Sequence, residues 1–133
     1  MVMMQSETQA KLLDGKALAD RLSQSLKEQI QGLPRMPGLH VVMVGQPEDS
    51  PSRRYVRNKL KRAKFIGIEA TLHDLPAETS QQDVLDLLAR LNADDTIDGI
   101  IVQLPVPNHI NEHAVTMAID PAKDVDGFHY MNL

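Results

Sequence analysis

The sequence predicts an α/β domain, three-layer α/β/α around a mostly parallel sheet, in a single domain of 133 residues. Two observations carry that expectation. Short apolar stretches of strand length alternate with longer stretches in which apolar residues recur at helical spacing. The short stretches also lack polar alternation, as strands covered on both faces do.

Residues 1–11 read as a flexible leader, and residues 12–133 as the domain. Asp14 stands at an N-cap position, and Leu18, Leu22, Leu26 and Ile30 follow at four-residue steps, predicting a helix that Gly32 and Pro34 end. Leu39 to Gly45 is nearly all apolar and reads as a strand buried on both faces. Ser50-Pro51 supplies an N-cap followed by Pro at the first helical position, predicting a helix to about Phe65 that Gly67 breaks. Ile68 to Leu75 is a weaker strand. Ser80 and Asp83 resemble a capping box ahead of the stripe Val84, Leu87, Leu88 and Leu91. Gly99 to Leu104 is a third strand stopped by Pro105, and Asn111 caps a short helix ending near Ile119.

Composition narrows the functions available. With 42% hydrophobic residues the chain can bury a core. The absence of Cys removes disulfides, thiolate nucleophiles and Cys-ligated zinc. A net charge of −4 and 3% aromatics disfavour nucleic acid as a partner, since neither a basic surface nor stacking platforms are abundant. No apolar run approaches the roughly 20 residues that span a bilayer, and the start has no signal-peptide pattern, so no membrane partner and a cytoplasmic location are expected. His109 and His113 stand four apart but flank the cap Asn111, so no metal site is expected from them.

The most unusual local feature is a basic helix. Seven of the fourteen Lys and Arg lie between Arg53 and Lys64. On a wheel of about 100° per residue, Arg53, Arg54, Arg57, Lys61 and Lys64 share one arc of about 100°, and Val56, Leu60 and Ala63 another, at roughly 280° to 340° from Arg53. Tyr55 and Lys59 fall outside both groups and project side by side, Lys59 at the edge of the apolar stripe. The wheel leaves two readings of Lys59. It is either an amine partly out of water, and so suited to acid/base work, or a lysine whose stem covers the stripe while its head reaches solvent.

Several strings now coincide in order and spacing: Leu13-Asp14-Gly15-Lys16, Val44-Gly45, Tyr55-Val56-Arg57-Asn58-Lys59, Val102-Gln103-Leu104-Pro105-Val106-Pro107, and Lys123-Asp124-Val125-Asp126-Gly127-Phe128-His129. Together they closely resemble the bifunctional methylenetetrahydrofolate dehydrogenase/methenyltetrahydrofolate cyclohydrolase family, from about Leu12 to Asn132. The resemblance implies that residues 12–133 are the N-terminal catalytic, tetrahydrofolate-binding domain. Tyr55 would pack its ring on the folate, Lys59 would be the central acid/base group, and Gln103 would bond its amine. Val102 and Leu104 would line the substrate, Leu104 through its backbone, and Asp126 would hydrogen-bond the donor edge of the pterin. Gln103 precedes Pro105 at the carboxyl end of a predicted strand, where open α/β sheets bind ligands. A strand cap at Gln103 and a simple turn at Asp126-Gly127 are the plainer alternatives.

The implied activity has two steps, oxidation of 5,10-methylenetetrahydrofolate with NADP and hydrolysis of the methenyl product to 10-formyltetrahydrofolate. A noncatalytic folate-binding or interaction domain derived from such an enzyme is the alternative. Family members are longer, with a C-terminal nicotinamide-cofactor domain through which they chiefly dimerise. Here the seven glycines never form G-x-G-x-x-G, so NADP is expected to be bound by a domain absent from this chain. A homodimer is expected of the full-length form, and a monomer of this chain alone. The family often has Ser-Gln ahead of the tyrosine, where this chain has Ser52-Arg53-Arg54. Those added charges either attract anionic parts of the ligand, such as a polyglutamate tail, or are ordinary surface.

Overall fold

The computed structural model describes residues 2–132, with side chains placed from Gly15 onward. Three parallel strands form the sheet: β1 (Gly38–Val44) in the centre, β2 (Glu69–Leu75) and β3 (Gly99–Val102) on either side, in the order β2-β1-β3. Val41 of β1 pairs with Leu72 of β2 and with Ile101 of β3. Each crossover carries a helix, α2 (Pro51–Ile66) between β1 and β2 and α3 (Gln81–Ala93) between β2 and β3. The chain opens with α1 (Val2–Gln31) and closes with α4 (Glu112–Met117) and two short 3-10 turns.

Alternation along the central strand assigns the layers. Val42 and Val44, with Ile100 and Val102, pack on Val84, Leu87, Leu88 and Leu91 of α3 and on Val115 of α4. Val41 and Met43, with Ile101, pack on Val56 of α2. Both faces of β1 are therefore covered, as its unbroken apolar run predicts. Full burial of a side chain such as Leu88 contributes about 1.5–3 kcal/mol.

The helix caps follow the sequence. Ser50 Oγ accepts from the Arg53 N–H at 3.1 Å, and Pro51 opens α2. Gly67 closes it in the left-handed region at φ 98°, its N–H bonded to the Ala63 and Lys64 carbonyls. Ser80 Oγ accepts from Asp83 N–H at 3.0 Å, and Asn111 caps α4. β3 is shorter than predicted, because Gln103 and Leu104 leave the ladder ahead of Pro105, although the Gln103 N–H still donates to Val42 O at 2.8 Å.

α1 departs from the sequence reading in two ways. Its helical backbone begins at Val2, so Asp14 lies inside the helix and not at its cap, and residues 2–11 are helical where a leader was predicted. Between Val2 and Gly32 only Gly15 opposes helix, and one glycine costs only about 1 kcal/mol. The stripe of Leu18, Leu22 and Leu26 also does not enter the core; the three are 50%, 55% and 44% exposed. α1 rests on α2 through other residues, with Asp20 paired to Arg62 and Lys27 over the Phe65 ring. No helix among the described residues is long and apolar enough to cross a membrane.

Candidate functional site

The carboxyl ends of β1, β2 and β3 lead into three loops that meet. Gly45 follows β1 at φ 62°, and a Cβ there would lie about 3.0 Å from Ala77 and 3.1 Å from Pro107, so the backbone turn and the close packing both require glycine. Gln46 Nε2 donates to the Pro105 carbonyl at 2.7 Å, tying the loop after β1 to the loop after β3.

Arg53 locks the start of α2 onto these loops. The wheel groups it with the other cations, yet it is 9% exposed. Its guanidinium donates to both oxygens of Asp74 at 2.7 and 3.2 Å, to the Gln46 carbonyl at 2.7 Å and to the Pro47 carbonyl at 3.2 Å. Hydrogen bonding to Asp74 holds its pKa above the usual arginine value. A first-turn side chain can fold back past the helix N-terminus, which a wheel drawn about the axis does not represent.

With α2 so anchored, Lys59 Nζ donates to Gln103 Oε1 at 3.1 Å. The amide of Gln103 is itself oriented, since its Nε2 donates to the Leu104 carbonyl at 3.1 Å. Lys59 is exposed, so of the two readings the wheel left open, the amine partly out of water is not the one found. The stripe buries Val56 and Ala63 and leaves Leu60 only half-buried, so its edge is open to water. Tyr55, 63% exposed, stands one helical turn before Lys59 on the same face. Val102 is buried beneath Gln103 at the end of β3, and Leu104 is half-buried.

Asp126 stands apart. It is exposed in the turn before Gly127, and among the described residues no hydrogen bond joins it to Tyr55, Lys59 or Gln103. The structural work in that segment falls to Asp124, which the sequence reading passed over. Its chain runs beside Ile100 of β3, and its carboxylate accepts from the N–H groups of Gly127 and His129 and from the Asn132 amide. Burial pushes the Asp124 carboxyl up, but those donors outweigh it and hold the pKa below the usual value. The D-x-x-G spacing, Asp at the first and Gly at the fourth position of a β-turn, is the signal that would have found it. Lys123 is likewise structural, capping the C-terminus of α3 through the carbonyls of Leu91, Asn92 and Asp94. His109 lies 2.7 Å from the Thr79 carbonyl, and no set of three or more metal-ligating side chains gathers among the described residues.

An open parallel sheet with a polar cluster where its strands end, an amine hydrogen-bonded to an amide within it, places this chain among the α/β domains whose strand ends form a crevice. Residues 13–126 match the family model described as tetrahydrofolate dehydrogenase/cyclohydrolase, catalytic domain. The chain belongs to that family, as its catalytic domain. It is 50% identical over 133 residues to bifunctional protein FolD 2 of Pseudomonas putida, covering 98% of this chain and 43% of that protein. It is similar to the crystal structure of the bifunctional methylenetetrahydrofolate dehydrogenase/cyclohydrolase of Campylobacter jejuni, with a TM-score of 0.84 and 40% identity over 90% of this chain and 43% of that one. It is also similar to the Trypanosoma brucei dehydrogenase-cyclohydrolase solved with NADP and an inhibitor, with a TM-score of 0.77 and 34% identity over 84% of this chain and 39% of that one. The chain thus spans less than half the length of these relatives.

Proposed function

We propose that this chain binds tetrahydrofolate derivatives and supplies the acid/base half of a bifunctional enzyme, which oxidises 5,10-methylenetetrahydrofolate and hydrolyses the resulting methenyl cation to 10-formyltetrahydrofolate. The hydrogen bond from Lys59 Nζ to Gln103 Oε1, at the carboxyl ends of the strands and one turn from Tyr55, is the observation that carries this reading.

In hydrolysis, water adds to the amidinium carbon of the methenyl compound, one proton leaves, and the ring opens to the formyl amide. The step needs a group that relays a proton between the incoming water and the departing ring nitrogen, and Lys59 is suited to it. Gln103 fixes where that amine points, and Tyr55 offers a ring face to the pterin. Asp126 would accept the paired N–H donors of the aminopterin edge, which requires the exposed turn at Gly127 to face the ligand.

The oxidation belongs with NADP, and the residues present do not fit that cofactor. None of the turns after β1, β2 or β3 is a glycine-rich phosphate loop. On this reading NADP binding and homodimerisation belong to a second domain of the longer protein.

The test is titration of this chain with 5,10-methenyltetrahydrofolate, following binding and loss of the methenyl absorbance. Binding is expected, and Lys59→Met is expected to abolish hydrolysis while sparing binding in large part. Hydrolysis that survives in Lys59→Met removes the assigned role. Binding without hydrolysis in the unsubstituted chain makes it a noncatalytic folate-binding domain, and absence of binding overturns the reading altogether.

A further inference from the structure

Beyond the Gln103 N–H, which bonds the Val42 carbonyl, the chain passes through Leu104 and Pro105 outside the sheet. Pro105 has no N–H to offer, so this segment is held through its carbonyls. The Leu104 carbonyl accepts from Gln103 Nε2 at 3.1 Å, and the Pro105 carbonyl from Gln46 Nε2 at 2.7 Å. Gln46 is itself fixed in place. Its backbone carbonyl accepts from Arg53 Nη2 at 2.7 Å, and the N–H of the preceding Gly45 donates to the Leu75 carbonyl at 2.9 Å. Asp74 holds the same guanidinium, at 2.7 Å from Nη1.

These bonds close a ring. It leaves α2 at Arg53, passes through Gln46 to the Leu104–Pro105 segment, continues through Gln103 and returns to α2 at Lys59, whose Nζ donates to Gln103 Oε1 at 3.1 Å. Lys59 lies six residues after Arg53, about 9 Å along the helix axis. The orientation of the Gln103 amide is decided within the ring. With its NH2 group taken by the Leu104 carbonyl, it turns its oxygen to Lys59; reversed, it would set two donors against an amine that donates. Where the Leu104 carbonyl stands therefore decides what Lys59 meets, and the segment bearing that carbonyl is held from the loop after β1 by the Gln46 side chain.

We propose that Gln46 is a positioning residue for the reaction: through the Pro105 carbonyl it fixes the Leu104–Pro105 segment, and through that segment the Gln103 amide that aims the Lys59 amine. This rests on the acid/base reading of Lys59 above. Arg53 and Asp74 serve by placing Gln46. Because Arg53 meets residue 46 at its backbone carbonyl, the Gln46 side chain can be replaced without removing a partner of Arg53.

Turnover of 5,10-methenyltetrahydrofolate by this chain, with kcat and KM measured separately, tests it. Gln46→Leu keeps the bulk and removes the donor, and Gln46→Glu sets an oxygen against the Pro105 carbonyl. Both are expected to lower kcat about tenfold, an order-of-magnitude figure for a slightly misaimed group, with KM within about twofold of the unsubstituted value. Gln46→Lys restores a donor on a long stem and is expected to recover most of the loss. In a Gln103→Ala background, Gln46→Leu is expected to add no further loss, since its effect passes through that amide. Three results overturn the proposal and leave the role of Lys59 standing: an unchanged kcat in Gln46→Leu, a loss that adds in full to that of Gln103→Ala, or a loss that follows the urea midpoint and is not recovered by Gln46→Lys. If the unsubstituted chain turns over no methenyl compound, the acid/base reading fails by itself, and the side-chain amide protons of Gln103 then decide. Their exchange with water, followed by NMR, is expected to quicken several-fold in Gln46→Leu. Quickened exchange retains the hold of Gln46 on Gln103, and an unchanged rate removes it.

Discussion

Arg53 carries more of the site's architecture than its neighbours, because one guanidinium joins α2, the loop after β1 and the end of β2. Arg53→Ala would leave the Gln46 and Pro47 carbonyls and the Asp74 carboxylate without their donor, and is expected to lower stability by about 2–3 kcal/mol in urea unfolding. The neighbouring Arg54, exposed and without a carboxylate partner among the described residues, should change stability by less than about 0.5 kcal/mol when replaced by Ala. At Lys59 the relevant substitution is Gln103→Ala, which frees the amine to move. That variant is expected to lose hydrolysis by roughly 10²-fold with a smaller change in folate affinity, measured in the methenyl assay. The Tyr55/Lys59 face was legible in the sequence, since a four-residue step needs nothing beyond helical geometry. The burial of Arg53 and the exposure of Lys59 were not, because both depend on what the loops and the sheet edge place around the first turns of α2.

Among the elements, the junction of β1 and β2 holds a histidine pair that pattern alone does not disclose. His40 and His73 lie on neighbouring strands, offset by two residues in register, with His40 Nδ1 2.8 Å from His73 Nε2 and the rings stacked at 5.1 Å. Only the register makes them diagonal neighbours. Burial lowers the pKa of both below the ordinary 6.5; Asp94 and Glu69 partly offset this for His40, while His40 and Arg90 lower His73 further. The unfolded chain therefore takes up these protons before the folded one. Their contribution to stability is complete above about pH 6.5 and drains away as pH falls through the lower folded values. The urea midpoint is expected to drop between about pH 6.5 and 5, and His73→Gln to flatten that drop. Helix boundaries at Ser50, Gly67, Ser80 and Asn111 were readable in advance, since each cap is a local hydrogen bond between residues a few positions apart.

Over the whole molecule, the packed centre lies on the α3 side of the sheet, and the apolar stripe of α1 lies outside it. Leu88→Ala is expected to lose about 2–5 kcal/mol, whereas Leu22→Lys should change stability by less than about 0.5 kcal/mol, both read from denaturant midpoints. The stripe at Leu18, Leu22 and Leu26 marked a helix correctly but did not say what, if anything, the helix would cover, because periodicity reports a face and not its neighbour.

The seating of α1 on α2, and not on the sheet, also orders how the fold comes apart. An outer helix that meets the rest mainly along α2 can lift away without disturbing the strands beneath. Placed in heavy water, the amides of residues 15–31 should take up deuterium first, and those of Val41 to Val44, enclosed on both faces, should be the last to yield.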